Sequence, residues 1–184
     1  MTATPTPSGP DTGAFRTLMG RWSTGVSVVT SRDGGADAGL TVNAFLSVSL
    51  SPPSVLVSLT KDADTTPVIE RTGLFAVSFL AADQRPLSER FARPVPAAEK
   101  FFGVSVHRGP KGLALLDGTL GAVECRVASS VPAYDHILLI GEVVHLEVGR
   151  ETAPLLFYRS AYAEAEGPDR LHLGTREKRE GARL

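Results

Sequence analysis

Between Leu40 and Thr60 the chain reads LTVNAFLSVSLSPPSVLVSLT, a stretch without a formal charge. From Val42 to Leu50 the even positions are Val42, Ala44, Leu46, Val48 and Leu50, and the odd positions are Asn43, Phe45, Ser47 and Ser49. Alternation with period two predicts one half-buried strand, its even residues on the core side. The polar side is unusual, because a solvent-facing strand surface normally carries Lys, Glu, Thr or Arg, and this one offers an amide, small hydroxyls and an aromatic ring. Such a face suits a planar ligand, since neutral donors and acceptors fix orientation while small side chains let a ring approach the backbone. It also fits an exposed serine-rich strand, and these residues alone leave both readings open.

The flanking sequence supplies partners for that strand. Val26–Thr30 predicts a strand, and the Asp- and Gly-rich turn around Asp33 to Asp37 folds it into a hairpin with the central strand. Pro52 and Pro53 interrupt the ladder, since proline has no N–H to donate, and Val55, Val57 and Leu59 resume it. Leu74–Leu80 reads as a buried strand, Thr119–Ser129 and His136–Val148 alternate again, and Pro154–Tyr158 adds a short last strand. In the intervening VPAYDH, Pro132 is expected to mark the turn, with Tyr134, Asp135 and His136 as a polar cluster where the next strand begins.

The helices are short. Phe15, Leu18, Met19 and Trp22 follow the i, i+3, i+4, i+7 rule and predict an amphipathic helix packed on the core and ending near Gly25. Thr66 is the expected N-cap of a second helix, with Pro67 at its first position and Gly73 ending it. Its N-terminal amides, with Ser58, Lys61 and Thr65 nearby in sequence, form either an anion site or an ordinary capped terminus. Asp83–Ala92 predicts a third helix with Leu87 and Phe91 on one face. Arg93–Lys111 is expected to be mostly irregular and able to fold over a site. Long helical crossovers are missing, so the pattern favours an antiparallel barrel over a parallel sheet.

A chain of 184 residues holds one full core but not two ordinary domains. We expect a tail over 1–13, a folded domain over 14–162 and a polar tail over 163–184. Nineteen basic against twenty acidic residues leave a net charge of -1, which gives no field for nucleic acid or an anionic membrane. Neither a signal-like start nor an apolar run long enough to span a bilayer occurs, so a cytoplasmic location is expected. The single cysteine, Cys125, falls in an apolar alternation and reads as a buried hydrophobe. There is no GxGxxG after a strand, no Walker loop, no HExxH and no GxSxG, and the histidines at 107, 136, 145 and 172 lack zinc spacing; no metal site is expected.

Taken in order, FRTLMGRWSTGVSVVTS, GLTVNAFLSVSLSPPSVLVSL, Lys61 with Thr65, QRPLSERFA, and Asp135–His136 followed by ILLIGEV resemble the flavin reductase family. These are small NAD(P)H:flavin oxidoreductases that act as reductase components of two-component flavin-dependent monooxygenases. The similarity runs from about Phe15 to Tyr162. It implies a mainly β fold, a split β-barrel with short peripheral helices, working as a homodimer. The flavin, FAD or FMN, would lie along Thr41, Val42, Asn43, Ala44, Ser47 and Ser49, its phosphate held by Ser58, Lys61 and Thr65, with Phe91 and Ala92 close by. Tyr134, Asp135 and His136 stand where the family carries a Gly-Asp-His motif associated with reduced nicotinamide, NADH or NADPH. Tyr134 in place of the glycine narrows that site, stacks on the nicotinamide or points outward, three alternatives the sequence leaves open.

The implied reaction is hydride transfer from reduced nicotinamide to flavin. Position and electrostatics are the protein's share, and His136 is cast as an orienter of the nicotinamide rather than a proton donor. Reduced flavin would then pass to a partner monooxygenase. Two alternatives use the same barrel: a flavin-binding storage or sensor protein with little reductase activity, and an enzyme acting on an organic substrate with its bound flavin.

Overall fold

The computed structural model describes residues 9–164. The elements run α1 (Thr12–Met19), β1 (Thr24–Gly25), β2 (Ser27–Asp33), β3 (Ala36–Val42), β4 (Phe45–Leu50), β5 (Pro53–Thr60), α2 (Thr65–Thr72) and β6 (Leu74–Phe79). A 3-10 turn at Ala82–Gln84 leads into α3 (Arg85–Phe91) and α4 (Ala97–Phe101), followed by β7 (Val106–Arg108), β8 (Ala114–Leu116), β9 (Gly121–Ala133), β10 (His136–Val148), β11 (Leu155–Tyr158) and β12 (Ala161–Glu164).

The main sheet has seven strands in the order β3-β2-β6-β9-β10-β5-β4, and every pairing in it is antiparallel. Its two edges, β3 and β4, are consecutive in the chain and joined only by Asn43 and Ala44. A sheet whose opposite edges are tied by so short a link must curl, and the Ser58 amide donating to the Ala44 carbonyl at 3.0 Å carries the β4–β5 ladder into that link. The result is a barrel that is split at Asn43–Ala44. A three-stranded sheet, β1-β11-β12, and the β7–β8 hairpin pack outside it.

Two cores follow from the alternation in β2. Val29 faces a cluster with Val57, Leu59, Phe75, Val77, Cys125 and Leu139, whereas Val28 joins Val26, Leu80, Phe91, Leu116 and Leu155 beneath α3 and the outer sheet. Burying a side chain such as Leu59 or Phe75 contributes roughly 2 kcal/mol. Gly141 is required by this packing, because a Cβ there would lie 2.4 Å from the Phe75 ring. Burial pushes the Cys125 thiol up to about 12, in keeping with an inert core residue.

Several expectations are corrected. The strand predicted from Val42 to Leu50 is broken at Asn43–Ala44, and the even side chains Leu46, Val48 and Leu50 of β4 are exposed. Helix α1 forms, but it has no buried residue, so it does not pack on the core as expected. It begins at Thr12, capped by the Asp11 carboxylate accepting from Ala14 N at 2.8 Å, so Thr12 and Gly13 of the expected tail are helical. Asp64 occupies the N-cap position of α2; Thr66 lies inside the helix and its hydroxyl donates to the Thr60 carbonyl at 2.9 Å. Gly73, at φ +66, ends that helix as the sequence predicts. Pro132 sits within β9, and the turn is made by Tyr134 and Asp135, because His136 pairs with Ala133. The segment expected to be irregular, Arg93–Lys111, contains α4 and β7. Ala163 and Glu164 belong to β12 rather than to a tail. Residues 1–8 and 165–184, the remainder of the expected tails, lie outside the described residues.

Candidate functional site

The barrel's split opens into a cleft of about 850 Å³. Its floor is the end of β3 with the Asn43–Ala44 link and Ser58–Thr60 of β5; one wall is the Asp62–Asp64 loop with the start of α2, and the other is Phe91–Pro96 with Lys100 of α4. His136, the first residue of β10, closes one side.

Local chemistry explains how these pieces are held. The Thr41 hydroxyl donates to the Ser88 carbonyl at 2.7 Å and so ties β3 to α3. The Phe91 ring stands edge-on to Phe101 with centroids 5.0 Å apart, and both lie over Gly39, where a Cβ would come within 2.9 Å of the Phe91 ring. Glycine at 39 therefore lets α3 and α4 approach the strand that floors the cleft.

The structure brings together Thr41, Val42, Asn43, Ala44, Ser58, Thr65, Phe91, Ala92 and His136 in the cleft lining. It does not bring Ser47, Ser49, Lys61, Tyr134 or Asp135 into that lining. Ser47 and Ser49 lie further along β4, where Ser49 Oγ accepts from the Ser51 amide at 3.1 Å. The Lys61 ammonium donates to the Tyr134 carbonyl, while its backbone amide donates to the Asp135 carbonyl at 3.0 Å, so Lys61 clasps the β9–β10 turn that precedes His136. The Tyr134 side chain is 97% exposed, and of the three alternatives the outward one describes it.

Sequence reasoning did not single out Lys100. A lysine in AAEKF reads as solvated surface, yet this one is buried. Its ammonium donates to the Gly39 carbonyl at 3.2 Å, and burial holds its pKa below the ordinary lysine value, opposed by the nearby Asp64 carboxylate. Across the cleft, His136 Nδ1 lies 2.9 Å from Asp135 Oδ1. A carboxylate only accepts, so Nδ1 carries the proton and a neutral ring presents Nε2 as an acceptor. That hydrogen bond is the main reason the Asp135 carboxyl titrates below its ordinary range.

These features fit a flavin. A neutral floor of small side chains at Asn43 and Ala44 suits a planar ring, and a buried ammonium suits an anionic tail. Asn43 also borders a second recess of about 290 Å³ with Trp22, Thr24, Phe45 and Phe79. Thr24 Oγ1, buried there, is the side-chain atom left without a hydrogen-bond partner among the described residues.

Comparison with known proteins shows the family. The flavin reductase like domain family matches residues 19–166. Over 154 residues the chain is 41% identical to actinorhodin polyketide dimerase of Streptomyces coelicolor, covering 83% of this chain and 86% of that one. It is 38% identical over 160 residues to the reductase subunit of a flavin-dependent monooxygenase from Rhodococcus jostii, covering 87% and 80% of the two chains. Among solved structures, an NADH:FAD oxidoreductase of Streptomyces globisporus in complex with NAD and FAD fragments superposes with a TM-score of 0.81 at 32% identity, covering 87% of this chain and 95% of that one.

Proposed function

This chain belongs to the flavin reductase family, and on that basis we propose that it is an NAD(P)H-dependent flavin reductase that supplies reduced FAD or FMN to a partner monooxygenase. The observation that carries this reading is the cleft at the barrel's split, uncharged along Leu40–Ala44 and cationic at Lys100. Bound flavin supplies the hydride acceptor and reduced nicotinamide the hydride. The chain's own residues position the two.

Thr41, Val42, Asn43 and Ala44 offer the ring a flat strand end, with the Asn43 amide able to donate and accept at its edge. Ser58, Thr65 and the first turn of α2 face the anionic end, where backbone N–H groups favour negative charge. Phe91 and Ala92 exclude water from one side. His136 Nε2 accepts from the carboxamide of the nicotinamide, and Asp135 fixes the tautomer that leaves this nitrogen free. Ser47 and Ser49 sit on β4, beyond the lining, and come into play through a second copy of the chain. We take the assembly to be a homodimer and its place of action to be the cytoplasm. Among the described residues no helix is long and apolar enough to cross a membrane.

The test is anaerobic oxidation of NADH or NADPH by the purified protein, followed by loss of the reduced-nicotinamide absorbance, as FAD or FMN is added. Saturable turnover that depends on free flavin is expected. Tight flavin retention without nicotinamide oxidation would replace this reading with storage or sensing. Turnover that needs an organic substrate but no added flavin would replace it with the third use of the barrel.

A further inference from the structure

The geometry points to Lys100 as the counter-charge for the flavin phosphate, and so as the residue that makes this cleft prefer a phosphorylated flavin over riboflavin; this rests on the flavin reading above. A lysine ammonium has three donors. Lys100 is 8% exposed, and among the described residues its ammonium has one hydrogen-bond acceptor, the Gly39 carbonyl. A buried cation with unused donors that borders a cleft calls for an anion that the described residues do not supply as a hydrogen-bond partner.

Three placements make that anion the phosphate. Gly39, which fixes the ammonium, precedes Asn43 by four residues on the same strand run, roughly 13 Å in extended geometry. That distance separates the ring end of the cleft from its charged end by about the length of a polyol chain. Asp64, the acid that faces Lys100, directly precedes the first residue of α2, so the ammonium and the α2 N-terminus converge. Lys61, the other lysine near this end, is occupied by the Tyr134 carbonyl and does not line the cleft. Arg93 does line it, but it is exposed and has no fixed partner among the described residues.

The experiment compares equilibrium binding of FMN, FAD and riboflavin, read by flavin fluorescence, for the wild-type protein, Lys100→Met and Asp64→Asn. The wild type should bind FMN more tightly than riboflavin. Lys100→Met should weaken FMN at least about tenfold, as expected when one member of a buried charge pair is removed, and should move riboflavin by no more than about twofold. Asp64 is exposed and its side chain makes no cap hydrogen bond, so Asp64→Asn should fold normally; with the competing carboxylate gone, it should tighten FMN and leave riboflavin unchanged. The Asp64 arm decides the matter if Lys100→Met proves unstable.

Equal weakening of FMN and riboflavin in Lys100→Met would assign Lys100 a packing role and overturn the inference. So would an Asp64→Asn protein with unaltered FMN affinity, or a Lys100→Met protein that loses affinity for NADH but not for FMN. A wild-type protein that binds no flavin would overturn the flavin reading as well, which separates the two failures.

Discussion

His136 and Tyr134 are two positions apart on the same turn, yet the structure gives them opposite surroundings. His136 borders the cleft with its Nδ1 held by Asp135, whereas Tyr134 points to solvent. His136→Ala should therefore raise KM for reduced nicotinamide far more than KM for flavin, as steady-state kinetics with each substrate varied in turn would reveal; equal effects would remove His136 from nicotinamide positioning. Tyr134 adopts φ +56, the left-handed region that costs a side-chain-bearing residue about 1 kcal/mol. Glycine relieves that strain but returns about 0.5–1 kcal/mol through the freedom of the unfolded chain. Tyr134→Gly should accordingly change unfolding stability by less than about 1 kcal/mol and leave KM for nicotinamide unchanged. A large rise in that KM would mean that the ring closes on the nicotinamide after all.

Most of β3 carries no alternation and was not read as a strand, whereas β9 and β10 were legible because period-two patterning is a direct record of which face is buried. The break at Asn43–Ala44 was not, because the alternation continues straight through it and nothing local marks where one edge of the barrel becomes the other. Lys100 was hidden for a related reason: its ammonium is held by the Gly39 carbonyl, a partner 61 residues away in sequence. The β7–β8 hairpin shows another such long-range tie. His107 Nδ1 lies 2.6 Å from Asp117 and its Nε2 lies 2.8 Å from Glu147, which also meets His145 at 3.0 Å. The hydrogen bond to Asp117, then that to Glu147, raises the His107 pKa above 6.5. Asp117 is lowered from 3.8 by Ser105 and then His107, and Glu147 is lowered from 4.5 by His145 and then His107. The histidine's share of stability is complete below 6.5 and is lost as pH rises through its raised value. The carboxylates' share is present above 3.8 and 4.5 and is lost as pH falls through their lowered values. The clamp is therefore strongest between about pH 4.5 and 6.5. Thermal unfolding of wild type and His107→Gln should differ most near pH 5.5 and converge near about pH 9; a gap that does not change with pH would mean that charge plays no part.

The described residues expose more large apolar side chains than their own fold needs. Leu46, Val48 and Leu50 of β4 are exposed, Leu50 at 77%; Leu146 and Val148 end β10, Val148 at 87%; Phe15, Leu18 and Met19 leave α1 without a packed face, and Trp22 just beyond it is exposed. The periodicity in β4 and in α1 is that of a buried face, which the fold of this chain leaves exposed. An open sheet edge of this kind is a liability unless something covers it, and a stable interface of about 1,600 Å² with an apolar centre would use such a face. A second copy of the chain is the expected occupant, because β4 continues directly from Asn43 and Ala44 and also carries Ser47 and Ser49. Assembly would bring those hydroxyls and the partner's side chains against the open cleft. Sedimentation of the wild-type protein should give a dimer, and the double substitution Leu46→Glu with Leu50→Glu should give a folded monomer. Flavin affinity should fall with the loss of the dimer, since the ring end of the cleft loses one of its covers. A wild-type monomer, or a monomeric variant that binds flavin as tightly as the wild type, would show that this face serves another partner and that the cleft is complete within one chain.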